Sequence, residues 1–85
     1  MQTRTILDRI EIEPQTGTIA VRMLKQIADE SGKVLGSEYH RTSIGPDTDP
    51  VVQMAAVNAH LATMGYPALS EEDMTHIKTI AGTRR

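Results

Sequence analysis

The chain has 85 residues, of which 39% are hydrophobic and 2% aromatic, with no cysteine and a formal net charge of −2 at pH 7. This length fits one domain with a small core that neither disulfides nor thiolate metal sites stabilise, as in an intracellular or virion-borne protein. No apolar stretch reaches the roughly 20 residues of a membrane-spanning helix, and Lys and Arg are scattered, so we expect no membrane insertion, no export and only weak nonspecific attraction to nucleic acid.

A first strand is predicted over residues 3–13, where apolar and polar side chains alternate. Ile6, Ile10 and Ile12 stand at even positions of this segment, which is typical of a half-buried strand. Residues 14–17 follow it, and their proline and glycine predict a hairpin loop.

The second predicted strand begins at about Thr18 and has an apolar and a polar face. Residues 23–28 have enough helical propensity to form a helical turn instead. We favour the strand because it continues the alternation. The apolar face would hold Ile19, Val21, Met23 and Ile27, with Arg22 and Gln26 on the other face.

A third strand is predicted over residues 34–44, after a turn at residues 29–33. Both of its faces carry polar side chains, so we expect it at a sheet edge or against another subunit. Glu38 and Arg41 are the kind of charged residues that protect an edge strand from unwanted pairing.

The turn at residues 45–50 separates the strands from a second half in which apolar residues recur every three or four positions. Asp49 is the expected N-cap and Pro50 the first residue of a helix over residues 50–64, which ends before Gly65. Several alanines would let this helix approach the sheet or a neighbouring helix closely. Its apolar stripe consists of Val51, Met54, Val57, Leu61 and Met64, and the alanines are Ala55, Ala56, Ala59 and Ala62.

A second helix is predicted over residues 70–82. Ser70 is its expected N-cap, and the three acidic residues that follow suit the positive end of the helix dipole. Leu69 and Met74 have the spacing of a hydrophobic staple. The side chains expected to face inward are Met74, Ile77, Ile80 and Ala81.

Together these elements predict one small α+β domain over residues 1–85. Its strands occupy residues 1–44 as a three-stranded antiparallel β-meander, and two short α-helices then pack on one face of the sheet.

Metal chemistry finds little support in the sequence. The three histidines, His40, His60 and His76, lie on three different predicted elements, and no pair has the i, i+4 spacing of a helical zinc motif. Asp47 and Asp49 match only the opening of a calcium loop, and turn and N-cap roles explain both. We therefore predict no metal site and no cofactor.

Residues 39–43 form the densest polar cluster of the chain. An enzyme would use His40 as a base and Ser43 or Thr42 as a nucleophile. Adjacent strand residues point to opposite faces, so His40 and Ser43 are predicted to lie on different faces. No oxyanion hole or phosphate-binding loop accompanies these residues, and we predict no catalytic residues and no enzymatic activity.

The polar residues of the third strand have two interpretations. They form a recognition surface for a partner, or they are simply a polar strand in contact with solvent. Tyr and Arg are enriched among the residues that dominate binding energy at interfaces. Direct DNA binding is a minor alternative, because the second helix opens with three acids where a recognition helix would meet phosphate. The candidate partner-binding residues are Glu38, Tyr39, Arg41 and Ser43.

Over residues 6–64 an isoleucine-rich strand and a glycine-containing turn precede the segments Ile19-Ala20-Val21-Arg22, Tyr39-His40-Arg41 and Gly45-Pro46-Asp47-Thr48-Asp49, and an alanine-rich helix follows. This order of features resembles small uncharacterised tail-region proteins of tailed bacteriophages and prophages. The resemblance implies a phage origin and a role in the virion or its assembly, and it supplies no catalytic residues.

The predicted function is that of a non-enzymatic, phage-type virion or tail-associated structural or accessory protein. It would bind other protein subunits, such as phage tail or head proteins, through the outer face of the third strand and the exposed side of the first helix. The alternative is a small soluble phage-encoded inhibitor or regulator that binds a host protein. Either function implies a location in the virion or the host cytoplasm, and a homo-oligomer is compatible with both.

Overall fold

The computed structural model describes residues 1–83, and residues 84 and 85 of the predicted domain lie outside the described part. Three strands precede two helices, and the strands form one antiparallel sheet in the order β1-β2-β3. This architecture confirms the predicted α+β fold, and residues 23–28 belong to a strand. The elements are β1 (Gln2–Ile12), β2 (Ile19–Ala28), β3 (Val34–Ile44), α1 (Pro50–Thr63) and α2 (Glu71–Gly82).

Both hairpin loops contain a glycine with positive φ, a backbone conformation that other residues rarely adopt. In the β1–β2 loop, Gly17 has φ 74° and its N–H donates to the Glu13 carbonyl at 2.8 Å. In the β2–β3 loop, Gly32 has φ 89°, and the Asp29 carboxylate accepts from the backbone N–H of Ser31 at 2.9 Å. Hydrogen bonds led by the one from the Ser31 hydroxyl hold the pKa of Asp29 below its ordinary value of 3.8.

A β-bulge in β1 changes the face on which its side chains lie. Leu7 pairs with Met23 of β2 and Arg9 pairs with Arg22, so Asp8 is the extra residue. The prediction that Ile6 shares a face with Ile10 and Ile12 is therefore wrong. Ile6 lies on the opposite face and is 40% exposed, while Leu7, Ile10 and Ile12 pack against the core.

The core lies between one face of the sheet and the two helices, with α1 in contact with β3 and α2 in contact with β1. The inward positions predicted for the middle of each helix are confirmed, whereas Val51 and Met64 at the ends of the predicted α1 stripe are 46% and 40% exposed. The alanines of α1 are exposed too, so the prediction that they approach the sheet is wrong. The buried core residues are Ile19, Val21, Met23, Ile44, Met54, Val57, Leu61, Leu69, Ile77 and Ala81.

Local signals fix both ends of α1 and the start of α2. The Asp49 carboxylate accepts from the Val51 N–H at 2.8 Å, and the Ser70 hydroxyl accepts from the Asp73 N–H at 3.1 Å, as expected of N-caps. Gly65 has φ 85° just beyond α1. These contacts confirm the predicted caps, and α1 ends one residue earlier than predicted, at Thr63.

The two edge strands of the sheet differ in how far other parts of the chain cover them. On β1, the Leu7 N–H donates to the Asp73 carboxylate of α2 at 3.3 Å. The hydroxyls of Thr3 and Thr5 donate to carbonyls in the α1–α2 loop, at 3.0 and 2.7 Å. On β3, residues 34–39 are all exposed. The helical layer therefore secures the β1 edge and leaves much of the β3 edge accessible.

Candidate partner-binding face of the sheet

We use the term open face for the side of the sheet that points away from the helices. No element within residues 1–83 covers it. An antiparallel sheet can carry a solvated face of this kind. The register places on this face Arg4, Ile6, Arg9 and Glu11 from β1, Ala20, Arg22, Leu24 and Gln26 from β2, and Ser37, Tyr39, Arg41 and Ser43 from β3.

The most distinctive feature of the open face is a row of three arginines that crosses all three strands. Arg9 pairs with Arg22 in the β1–β2 register, and Arg22 pairs with Arg41 in the β2–β3 register. We call these three residues the arginine row. Like charges directly opposite each other destabilise a sheet, so this arrangement requires compensation from neighbouring groups.

Carboxylates and an aromatic ring supply that compensation. The Nε–H of Arg22 donates to the Asp8 carboxylate at 2.7 Å, and Arg9 forms an ion pair with Glu11. The guanidinium carbons of Arg22 and Arg41 lie 4.5 and 5.5 Å from the centroid of the Tyr39 ring, which attracts both cations. The arginine row is thus held in place by contacts within the chain.

An apolar row lies on one side of the arginine row. Ile6, Leu24 and Tyr39 pair with one another across the three strands, and we call them the apolar row. Ile6 is 40% and Tyr39 51% exposed, although each has a large hydrophobic side chain. Apolar surface next to charged groups is typical of the core and rim of a protein interface.

A cleft of about 290 Å³ lies on the other side of the arginine row. Ala20 lines this cleft and lies between Glu11 and Ser43 in the register. The short side chain of Ala20 leaves room between longer neighbours, and Arg9, Arg22 and Arg41 also line the cleft.

The open face is more positive than the rest of the protein. Its arginines are Arg4, Arg9, Arg22 and Arg41, and its acidic groups are Glu11 and the bulge residue Asp8. Four guanidinium groups and two carboxylates leave an excess of two positive charges on this face, in a chain whose formal net charge is −2. The charge of the molecule is therefore polarised between the open face and the remaining surface.

Three of the four predicted partner-binding residues lie together on the open face, namely Tyr39, Arg41 and Ser43. Glu38 lies on the opposite side of β3, where its carboxylate is 3.6 Å from the Nζ of Lys25. The sequence analysis did not identify the arginine row, because the pairing of Arg9 with Arg22 and of Arg22 with Arg41 depends on the register between strands.

A second polar cluster lies on the helix-covered side of the sheet. Lys25 is only 6% exposed, and its Nζ is 5.4 Å from the centroid of the Tyr66 ring. The rings of His40 and His60 have their centroids 5.6 Å apart. Burial lowers the pKa of His40 below its ordinary value of 6.5, and the charges of Lys25 and His60 add to this effect. His40 and His60 lie on separate elements, as expected, but the fold brings their rings into proximity.

The residues of the candidate catalytic cluster are divided between the two faces of β3. His40 and Ser43 lie on opposite faces of β3, as the strand geometry predicted. Among the described residues, no group of three or more His, Cys, Asp or Glu side chains is arranged to hold a metal ion. In the same part of the chain, every helix is too short or too polar to cross a membrane.

Comparisons with protein-family models, curated proteins and solved structures returned no match to this chain.

Proposed function

We propose that the protein is a binding module whose open face docks onto an acidic surface of another protein subunit. The observation that carries this proposal is the arginine row beside the apolar row on an uncovered sheet face. Tyr and Arg are among the residues enriched at interface hot spots, and the contacts of Tyr39 with Arg22 and Arg41 restrict the motion of these side chains before binding.

The size of the face indicates how the partner contacts it. Strands about 4.8 Å apart with a rise of about 3.3 Å per residue give a three-stranded face of roughly 500 Å². A stable interface typically buries about 800 Å² on each partner. The partner therefore extends beyond the open face, and the exposed edge of β3 is the adjoining surface with unpaired backbone groups.

Charge favours a protein partner over nucleic acid. The four arginines are interleaved with Asp8 and Glu11, which interrupt any continuous track for a phosphate backbone. The chain as a whole is acidic, and nonspecific nucleic-acid binding depends on many uncompensated cations. An acidic protein surface with an apolar centre matches both the arginine row and the apolar row.

The resemblance to phage tail-region proteins supports a partner among tail or head subunits, and hence a structural or accessory role in the particle or its assembly. A host protein bound through the same face would make the chain an inhibitor or regulator instead. Both roles are non-enzymatic and use the same surface.

The test is partner recovery with matched charge variants, in cells that produce the tagged chain and its natural partners. Leu24→Glu puts a negative charge at the centre of the apolar row, and Thr75→Glu puts the same charge on α2, where Thr75 is exposed. We expect wild type and Thr75→Glu to recover the same identified subunit and Leu24→Glu to lose it at least about tenfold. Equal recovery by both variants would refute the open face as the docking site.

Mass spectrometry of purified virions assigns the class of partner. Detection of the chain in particles, cross-linked through β3 to a tail or head subunit, supports the structural role. A host enzyme or defence protein as the Leu24-dependent partner would overturn that role in favour of the regulator.

A further inference from the structure

We infer that the cleft above Ala20 is a carboxylate-binding site, which receives an Asp or Glu side chain of the partner. This inference rests on the proposed function, because it names the chemical group through which the acidic partner is recognised. It concerns the cleft alone, whereas the proposed function depends on the whole open face.

Several hydrogen-bond donors around the cleft are held in place by neighbouring groups and still have N–H or O–H groups available for a ligand. Arg22 is fixed through its Nε by Asp8, which leaves its terminal amino groups available for a ligand. Arg41 contacts the Tyr39 ring but has no carboxylate partner within residues 1–83. The Ser43 hydroxyl, which also lines the cleft, makes no hydrogen bond in that part of the chain. Guanidinium and hydroxyl donors on two adjacent strands thus border the same space.

The cleft is large enough to admit an acidic side chain of the partner. Its volume of about 290 Å³ lies at the lower limit of small-molecule pockets, which span about 300–1,000 Å³. Ala20 has the smallest side chain among the residues that line the cleft, so it leaves space beside the guanidinium groups for an acidic side chain. A guanidinium group binds a carboxylate through two parallel hydrogen bonds, which gives the contact direction as well as strength.

Local charge favours a single carboxylate over a more highly charged anion. Glu11 lines the cleft and is already paired with Arg9, which leaves Arg41 as the unpaired cation. One negative charge from a ligand balances Arg41. A phosphate dianion, or successive phosphates of a nucleic acid, would bring additional charge toward the carboxylate of Glu11.

The direct test is an NMR titration of the whole chain, uniformly labelled with ¹⁵N, with an acetylated hexaglutamate amide at low salt. Hexaglutamine of the same length is the neutral control, and inorganic phosphate and a ten-residue oligothymidylate are the competing anions. We expect saturable shifts of the backbone amides of Ala20, Arg41 and Ser43 with hexaglutamate and none with hexaglutamine. Tighter binding of phosphate or oligothymidylate at these amides would overturn the carboxylate assignment.

Two variants distinguish the contribution of charge to hexaglutamate binding from that of the space in the cleft. Arg41→Gln removes the unpaired cation, and Ala20→Leu fills the cleft without a change of charge. Each is expected to weaken hexaglutamate binding at least about tenfold, which corresponds to about 1.4 kcal/mol. Lys78→Gln makes the same charge change as Arg41→Gln on the exposed surface of α2 and should alter the affinity by less than about twofold. Unchanged binding by Ala20→Leu, with its NMR spectrum otherwise intact, would refute the cleft as the site.

The same variants distinguish this inference from the proposed function. If Leu24→Glu loses the natural partner while Ala20→Leu and Arg41→Gln retain it fully, the open face is the docking surface and the cleft inference is wrong. Loss of the partner in Ala20→Leu supports both.

Discussion

Alanine substitutions at two consecutive residues of β2 test whether the sheet has one covered and one open face. The Met23 side chain is fully buried between the sheet and the helices, and Leu24 points the other way, into the apolar row. Met23→Ala leaves a cavity in the core and should cost about 2–5 kcal/mol. Leu24→Ala loses only contacts with the neighbouring side chains of its row and should cost about 1 kcal/mol or less.

These costs are large compared with the total stability of such a domain. At roughly 0.05–0.15 kcal/mol per residue, a chain of 85 residues has a free energy of unfolding of about 4–13 kcal/mol. Urea unfolding followed by far-UV circular dichroism measures both variants, and with a slope near 1 kcal/mol/M, Met23→Ala should lower the midpoint by about 2 M or more. The Leu24→Ala midpoint should move by about 1 M or less.

Equal losses for the two variants would refute the two-faced sheet, because they would mean that Leu24 is as deeply buried in solution as Met23. Repeating the measurement at several protein concentrations identifies the cause. A Leu24→Ala loss that grows with protein concentration would indicate that a second copy covers the open face, whereas our account of an uncovered face requires no such dependence.

Three further predictions concern a helix cap, a turn and a titrating side chain. Ser70→Ala removes the N-cap of α2 and should cost about 1 kcal/mol, or a melting temperature lower by roughly 4–8 °C in calorimetry. Gly65→Ala forces a side chain onto a residue with φ 85° and should cost about 1–2 kcal/mol in urea unfolding. Because the folded state lowers the pKa of His40, the unfolded chain binds its proton first, so stability is complete above the ordinary pKa of 6.5 and falls as the pH drops below it. His40→Gln should therefore show a smaller loss of stability between pH 7.5 and 5.5 than wild type, and His76→Gln on exposed α2 should resemble wild type.

A specific result would contradict each of these three predictions. An unchanged melting temperature for Ser70→Ala would show that the Asp73 N–H finds another acceptor, and a neutral Gly65→Ala would show that the turn relaxes. If the stability of His40→Gln depended on pH as strongly as that of wild type, protonation of His40 would not be a cause of the loss of stability in acid.

Local signals in the sequence were sufficient for the order of elements. Asp49 and Pro50 define the start of α1 through contacts between neighbours in the chain, and Gly65 ends it through its own backbone preference. The alternation around Val21 and Met23 likewise gave the correct buried face of β2. These features depend on residues close in sequence, where pattern and propensity act directly.

The candidate site was only partly predictable, because it depends on contacts between strands. A single extra residue, Asp8, shifts the register so that Ile6 pairs with Leu24 and joins the open face. A prediction from hydrophobic periodicity assumes an unbroken strand. An extra residue in the strand reverses the face of every side chain beyond it, and the periodic pattern does not show where such a residue lies. The proximity of His40 and His60 is equally a product of tertiary packing.

The carboxylate of Asp73 occupies the backbone N–H of Leu7, and the threonine hydroxyls tie the same border to the α1–α2 loop. Part of this border is therefore obstructed for strand addition, whereas β3 is exposed from residue 34 to residue 39. If two copies joined along β3, each end of the six-stranded sheet would be a β1 border on which α2 and the α1–α2 loop hinder further pairing. Such obstruction acts against extension into a fibre.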